Sequence, residues 1–492
     1  MTKRTKNLVV IGIFVLSMAI VLLILVLTQP KPDVDNGDSA TGDIISVLSY
    51  DRDDVANLTI KNEYGEYTIR NGVSGFVIDE YNGFRQNSTT MGAAGRCAAT
   101  INAQALVEEN SQELEKYGLS ADSPEAQCDV VLKNGTKYTL FFGIDSPDGK
   151  TRYFRLADSN DVYTVLLNSS GYFFYAEDDF LSLTVTDEIS NNNTAPTLDH
   201  MTITRKDLDY VLEFIDDSKQ YGSNEVTMAS AQVMISPVYA YLDINHSNAI
   251  MYGLWGLSAT DIVKVHPTEE DMKKYGLDDP FCEVNLDAEL INYNIKIGNV
   301  ASYQLDESGK PTTIPAQFYC YYNGIDIIYT FASDEVPWAT FAPIDILSTM
   351  MTGNYIYAVD YITVTYYDDP IEYYIDVGGD LENNKLDYIT VDGQEYDGDD
   401  FKELYKFILA CRIDDLYMEE PPADALIATL KIMRYDGRSD TLEFFDIGSN
   451  RVGIKLNGHP SFSQPRGYLK VLRQNIEAFK NGASGSELQT IW

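Results

Sequence analysis

The chain has 492 residues, 45% of them hydrophobic, which is enough to bury the cores of roughly two to four globular domains. It carries 75 acidic and 36 basic residues, for a formal net charge of -39. Because this charge repels phosphate backbones, the composition excludes DNA and RNA as ordinary partners. Solubility is the simplest reason for the charge, while divalent cations and polycationic polymers stay open as ligands.

The N-terminal segment predicts a membrane anchor followed by a spacer. Residues 8–27 contain no charge, and their length suits a helix that crosses a hydrocarbon core of about 30 Å. Basic residues precede this run and acidic residues follow it, so we expect residues 1–7 in the cytoplasm and the rest of the chain outside the cytoplasmic membrane. Residues 28–43 are polar and predict a solvated linker. A cleaved signal peptide is the alternative, but Val26–Pro30 lacks a small-x-small cleavage site.

One short pattern occurs twice. Glu115–Leu119 ends in Lys-Tyr-Gly-Leu, as does Lys273–Leu277, and a proline follows each copy. The pattern is typical of a helix end, where glycine adopts a positive φ, leucine turns back to the core and proline prevents the helix from resuming. We interpret it as a structural motif rather than a site of chemistry. Its residues are Tyr117, Gly118, Leu119 and Pro124 in the first copy and Tyr275, Gly276, Leu277 and Pro280 in the second.

Matching elements surround both copies of this motif. Two strands and a helix precede each copy and two hairpins follow it, the first of them closed by Asn134-Gly135. The helices are predicted at 88–99 and near 237–252. The predicted strands are 55–60, 64–70, 127–133, 137–143, 151–156 and 161–166 in the first copy, and 198–204, 210–215, 281–287, 291–298, 317–322 and 325–331 in the second.

A more divergent third copy lacks Tyr-Gly-Leu but keeps the order of elements. Its predicted elements are strands at 358–365, 371–377, 428–435 and 441–447, and helices at 399–410 and 464–480. This order predicts a mainly antiparallel sheet covered on one face by a helix. We therefore predict an α+β chain with an N-terminal transmembrane helix, tandem repeated units at 44–190, 197–350 and 355–480, and a tail at 481–492.

The motif also carries a family resemblance. Lys116–Leu119 and Lys274–Pro280, each leading into a strand and a hydrophobic-x-hydrophobic-Gly turn, resemble the hallmark of a bacterial family of domains of unknown function. The resemblance covers the first two units, and the third departs from it. It implies a single-pass extracytoplasmic protein that accompanies an ABC transporter of the gliding-motility type, with the permease and the ATPase as partners. It implies location and company rather than chemistry.

The sequence contains no recognisable catalytic constellation. The histidines are far apart, at His200, His246, His266 and His459, so a zinc hydrolase site is not expected. The five cysteines are too scattered for a disulfide framework, although a Cys282–Cys320 bridge stays open. Acidic stretches at 376–387 and 392–400 favour turns and a helix cap over calcium loops, because neither has the spacing of an EF-hand. We predict no catalytic residue, no cofactor and no metal.

Tyrosine is abundant, with 35 residues, and predicts a chain rich in sheet. Tyr319 and Tyr321 fall on one face of a strand and Tyr322 on the other, which favours sheet packing over stacking on sugar rings. The predicted function is that of a non-enzymatic, membrane-anchored accessory protein of an ABC-transporter-type envelope complex. A cell-wall glycan-binding module is the alternative, and an envelope hydrolase is the third hypothesis.

Overall fold

The structure is a computed structural model that describes residues 44–189, 196–217, 230–289, 291–322, 324–350, 352–410 and 415–491. The predicted anchor at 8–27, with the residues before it and the linker after it, lies outside the described residues. No helix within the described ranges is long and apolar enough to cross a membrane. Contacts between Cα atoms divide the chain into two compact units, Met1–Phe180 and Leu181–Trp492.

The first unit is built on an eight-stranded antiparallel sheet and a separate strand pair. Its strands are β1 (Ile45–Ser49), β2 (Val55–Asn62), β3 (Gly65–Gly72), β4 (Gly75–Ile78), β5 (Thr100–Ala103), β6 (Ala105–Glu108), β7 (Ala126–Leu132), β8 (Lys137–Asp145), β9 (Thr151–Leu156) and β10 (Val162–Leu166). The order across the large sheet is β4-β3-β2-β7-β8-β9-β10-β6, and β1 pairs with β5. Helix α1 (Ser88–Ala99) packs against β2 and β4, and the short α2 (Leu167–Ser170) follows β10.

The second unit contains two nine-stranded antiparallel sheets, of which the first spans residues 198–332. Its strands are β11 (Leu198–Arg205), β12 (Leu212–Asp216), β13 (Gln232–Ser236), β14 (Ala240–Tyr241), β15 (Asp261–Val265), β16 (Cys282–Ala288), β17 (Ile291–Leu305), β18 (Pro311–Tyr322) and β19 (Ile327–Ala332). They are ordered β14-β13-β12-β11-β16-β17-β18-β19-β15. Helices α3 (Ile244–Tyr252) and α4 (Glu269–Lys274) belong to this repeat.

The other sheet of this unit spans residues 359–465 and has the same arrangement. Its strands are β20 (Val359–Tyr366), β21 (Ile371–Asp380), β22 (Lys385–Val391), β23 (Gln394–Tyr396), β24 (Asp415–Leu416), β25 (Leu426–Arg434), β26 (Ser439–Asp446), β27 (Arg451–Leu456) and β28 (His459–Pro465), in the order β23-β22-β21-β20-β25-β26-β27-β28-β24. Helices α5 (Gly398–Leu409) and α6 (Gly467–Lys480) pack together, and their apolar side chains join those of the strands in one buried core.

The three large sheets share one connectivity. In each sheet, the first strand (β2, β11 or β20) is central, and the strands that follow it in the chain lie in order on one side of it. The next strand (β6, β15 or β24) forms the opposite edge of the sheet. The last four strands fill the space between the central strand and that edge. Each central strand also carries an irregularity at its start, between Val55 and Asn57, Leu198 and His200, or Val359 and Tyr361. The predicted sheet-rich α+β class and the repeated sheet units are therefore confirmed, while the unit boundaries at 44–190, 197–350 and 355–480 remain predictions.

Residues of the second and third sheets share a core within Leu181–Trp492. Val233 and Tyr241 belong to the same buried cluster as the strands and helices of the third sheet. The Tyr241 hydroxyl donates to Asp440 at 2.7 Å, and Asp440 also accepts from the side-chain amides of Asn354 at 2.7 Å and Asn457 at 2.9 Å. Asp440 is only 4% exposed, and these donors help to compensate the burial of its carboxylate.

Some predicted elements differ from the structure. The helix predicted near 237–252 is a helix only from Ile244, because Ala240–Tyr241 pairs with β13. The helix predicted at 464–480 begins at Gly467, since the residues before it complete β28. The prediction also omitted twelve of the described strands. Nine of them have five residues or fewer, namely β1, β4, β5, β6, β13, β14, β15, β23 and β24, and the other three, β22, β27 and β28, contain acidic residues, glycine or proline.

Candidate functional site

Both copies of the Tyr-Gly-Leu motif end a helical turn. Leu114–Tyr117 is a 3-10 turn followed by Gly118 at φ 68°, and α4 is followed by Gly276 at φ 71°. The next residue, Leu119 or Leu277, is fully buried. Its backbone N–H closes the turn on the carbonyl of Leu114 at 3.0 Å or of Met272 at 2.8 Å. The glycine is needed because an L side chain is strained at this φ.

A second glycine explains the spacing to the following strands. Gly143 of β8 and Gly298 of β17 lie directly against the backbone carbonyls of Tyr117 and Tyr275. A Cβ atom at either glycine would overlap the carbonyl oxygen. Asn299 next to Gly298 donates its N–H to the Tyr275 carbonyl at 2.9 Å. The hydrophobic-x-hydrophobic-Gly turn is therefore the surface onto which the helix end closes.

The first motif tyrosine is half-buried and contacts several other side chains. The ring of Tyr117 contacts Tyr153 of β9 at 4.7 Å between centroids, and the Lys116 ammonium lies 4.8 Å over it. Glu108 accepts from Lys116 at 3.0 Å and from the Tyr117 hydroxyl at 2.8 Å. The hydrogen bond from Lys116, followed by that from Tyr117, lowers the pKa of Glu108.

The second motif repeats the ring contacts of the first, and Lys274 donates to the Tyr275 hydroxyl at 3.0 Å. Tyr275 contacts Tyr319 of β18 at 4.6 Å, and Lys274 lies 4.7 Å over the Tyr275 ring. Pro124 and Pro280 precede β7 and β16 and are half-buried. Each set of motif residues is local to its own repeat, and its polar groups are used within the fold. The purely structural role of the motif remains a prediction.

The residues of the rejected catalytic hypotheses lie in ordinary structural positions. The thiols of Cys282 and Cys320 are buried and free, so the open disulfide is not formed in this structure. Burial raises the pKa of Cys282 to about 12, which disfavours a nucleophilic thiolate. Asp397 caps α5 by accepting from the N–H groups of Asp399 and Asp400. Within the described residues, no group of three or more histidine, cysteine and acidic side chains could hold a metal.

The third sheet carries a feature that the sequence patterns did not predict. On the face opposite to its helices, Tyr361 of β20, Tyr374 of β21 and Tyr388 of β22 surround Asp376. Tyr361 is the cross-strand partner of Asp376, and Tyr388 is that of Gly378. Tyr361 and Tyr374 stack at 5.3 Å between centroids. We call this set, with Tyr435 and Asp360, the tyrosine surface.

The tyrosine surface is open to solvent. Tyr374, Tyr388 and Tyr435 are 44%, 43% and 53% exposed. The Tyr388 ring lies over Gly378, where a Cβ atom would approach it to 2.6 Å. Tyr435 is anchored by its hydroxyl, which donates to the carbonyl of Val377 at 2.6 Å.

The negative charge of Asp376 raises the pKa of the tyrosines around it. It is the largest cause of the raised pKa of Tyr388, and it adds to burial in raising the pKa of Tyr374. Among the described residues, Asp360 and Asp376 have no ion-pair partner, and no basic group lies over the four rings. Lys431 is on the same face, opposite Thr363, but makes neither kind of contact there. The sequence signal that marks this surface is the period-two pattern Tyr374-x-Asp376-x-Gly378.

The comparisons with known proteins bear on the family. Residues 77–280 match the family DUF4340, a domain of unknown function. The match begins in β4, contains both copies of the motif and ends at Pro280, and it covers less than half of the 492 residues. The predicted resemblance to a family of domains of unknown function is thereby confirmed at that level. No curated protein and no solved structure matches the chain.

Proposed function

We propose that the chain is a non-catalytic accessory protein, held at the cytoplasmic membrane by residues 8–27 and bound to an ABC-transporter-type complex outside it. The observation that carries this proposal is that the chain repeats one sheet connectivity three times. The motif found in two of these repeats packs against the strands of its own repeat. Such sheets offer surfaces to a partner, and the described residues hold no cluster of histidine, cysteine and acidic side chains that could bind a metal. The family resemblance supports the permease and the ATPase as partners.

The test is capture of the tagged full-length protein from its native membrane in mild detergent, followed by mass spectrometry of the proteins that remain bound. The control is the same chain truncated after residue 43, which keeps the predicted anchor and removes every sheet. We expect an ABC permease and its ATPase with the full chain and not with the control. Recovery of the full chain alone, in detergent that preserves known membrane complexes, would contradict the proposal.

A cell-wall glycan-binding module is the second candidate, and the exposed rings of the tyrosine surface favour it because aromatic faces stack on sugars. It predicts that the full-length protein sediments with insoluble peptidoglycan, and that Tyr374→Leu with Tyr388→Leu abolishes sedimentation. An envelope hydrolase, the third hypothesis, requires turnover of a cell-wall or ester substrate by the same preparation. Protein that stays in the supernatant and shows no turnover would exclude both the glycan-binding module and the hydrolase.

A further inference from the structure

In the first repeat, an ammonium, a carboxylate and a tyrosine ring contact one another. Among the described residues, the tyrosine surface of the third sheet has the carboxylates and the rings but not the ammonium. Lys116, Glu108 and Tyr117 form a triangle in which the ammonium pairs with the carboxylate and lies over the ring, while the hydroxyl donates to the same carboxylate. The ammonium is stabilised twice, by Coulomb attraction and by the negative face of the ring. The chain supplies all three groups of this triangle.

The third sheet supplies two of the three groups. Asp376 interacts with the Tyr388 hydroxyl and lies among the rings of Tyr361 and Tyr374, and Asp360 adds a second carboxylate. An ammonium is missing, since the described residues provide neither an ion pair to these carboxylates nor a cation over these rings. Exposed rings and unpaired carboxylates of this kind attract a cation from outside the fold.

The other two sheets do not present this surface at the equivalent positions. The position of Tyr361, directly after the irregularity at the start of the central strand, is taken by Asn57 and His200. The position of Tyr374 is likewise taken by Thr68 and Glu213, since each lies opposite a threonine of the central strand. The aromatic rings are thus a property of the third repeat and not a requirement of the shared fold.

We propose that the tyrosine surface binds a cationic protein segment through lysine side chains, one ammonium lying among Tyr361, Tyr374 and Tyr388 against Asp376. Charge complementarity selects this occupant, because an anionic ligand is repelled by the two carboxylates and by a chain of net charge -39. A neutral sugar gains ring stacking but leaves both carboxylates unpaired. The proposal does not depend on which membrane complex the protein joins.

The test uses the full-length protein in mild detergent and a dye-labelled peptide of alternating lysine and glycine. Binding is followed by fluorescence anisotropy at physiological ionic strength, about 0.15 M, where long-range attraction is screened. Tyr374→Leu and Tyr388→Leu are each expected to weaken binding about fivefold, since an exposed cation–π contact contributes about 1 kcal/mol. Tyr388→Phe keeps the ring and is expected to bind within about twofold of the wild type.

Matched controls separate this surface from the overall negative charge. Tyr64→Leu removes a tyrosine that is 63% exposed in the first unit, and Asp199→Asn removes an exposed carboxylate of the second sheet. Neither is expected to change the affinity, whereas Asp376→Asn is expected to weaken it. A peptide with acetylated lysines should not bind, because acetylation removes the charge.

Three outcomes would overturn the proposal. Equal weakening by Asp376→Asn and Asp199→Asn, with the tyrosine variants unaffected, would assign binding to net charge. Equal binding of the acetylated peptide would exclude recognition of a cation. Displacement of the lysine peptide by a neutral cell-wall oligosaccharide, together with loss of oligosaccharide binding in Tyr388→Leu, would make the surface a glycan site.

Discussion

The motif tyrosines of the first two repeats and the surface tyrosines of the third differ in the groups that contact them. In the motif, Tyr117 and Tyr275 are half-buried, and each contacts the lysine before it and a tyrosine of a neighbouring strand. In the third sheet, Tyr374 and Tyr388 stand on the open face with carboxylates beside them. Tyrosine therefore packs against neighbouring side chains in the first two repeats and faces solvent in the third. The surroundings of a tyrosine, rather than its type, decide whether it can contact a ligand.

Truncation of the motif leucines is expected to have the largest effect on stability. Leu119→Ala or Leu277→Ala removes a fully buried side chain and leaves a cavity, so each should lower the free energy of unfolding by about 3 kcal/mol. Urea unfolding should show the loss in the unit that carries the substitution. Leu106→Ala is the control, because this side chain is 44% exposed and should change little. Equal effects of Leu106→Ala and Leu119→Ala would contradict the enclosed character of the motif.

A pair of glycine substitutions compares the closed and open regions directly. Gly143→Ala places a methyl group on the Tyr117 carbonyl, which is backbone and cannot move aside, so we expect a loss of about 2 kcal/mol. The three atoms nearest to a methyl group at Gly378 belong to the ring of Tyr388, a side chain rather than backbone, so the cost of Gly378→Ala should be below that of Gly143→Ala. Gly171→Ala, with helical φ and no atom within 4 Å of the added methyl, is the neutral control. Thermal unfolding ranks the three variants.

A substitution can supply the tyrosine surface with the ammonium that it lacks. Thr390 is the cross-strand partner of Asp376, so Thr390→Lys brings an ammonium to the carboxylate and the rings. We expect stability to rise by about 0.5 kcal/mol, as for an exposed ion pair, and binding of the lysine peptide to be lost. Thr68→Lys, at an exposed position of β3 in the first unit, adds the same charge away from this surface and should leave peptide binding unchanged. Unchanged peptide binding in Thr390→Lys would contradict the missing-ammonium explanation.

The smallest expected effect is a pH dependence in the first motif. The pKa of Glu108 is lowered by Lys116, so its contribution to stability is present above the ordinary glutamate pKa of about 4.3 and is lost as the pH falls through the lowered value. Glu108→Gln should therefore lower the Tm at pH 7 and have little effect near pH 3. No basic group in the described part of the chain pairs with the exposed Glu63, so Glu63→Gln should leave the Tm unchanged at both pH values. A Glu108→Gln effect that grew toward acid would be the wrong sign.

Local signals in the sequence account for the parts of the fold that were predicted. The helix at 88–99 has the observed ends, and the turn at Asn134-Gly135 closes the hairpin of β7 and β8, because both depend on neighbouring residues alone. Tyr319 and Tyr321 are half-buried while Tyr322 is buried, as the alternation along the strand predicts. The motif was found for the same reason, since its glycine, leucine and proline act within one turn.

The tyrosine surface could not be predicted because it depends on pairing between distant strands. The irregularity between Val359 and Tyr361 sets the register that brings Tyr361 opposite Asp376, and a shift of one residue would turn every side chain of β20 to the other face. Sequence alone does not place such an irregularity. The buried Asp440, paired with Tyr241 and Asn354, was likewise hidden among 75 acidic residues.

The core shared by the second and third sheets has a mechanical consequence. Tyr241 and Val233 lie in the same buried cluster as the third sheet, and Asp440 ties Tyr241 to the start of β26, so neither sheet can lose its packing without exposing part of the other. A chain of three repeats stretched between its ends should therefore yield in two force steps rather than three. A load carried by the third repeat would be resisted by both sheets of Leu181–Trp492 acting as one block.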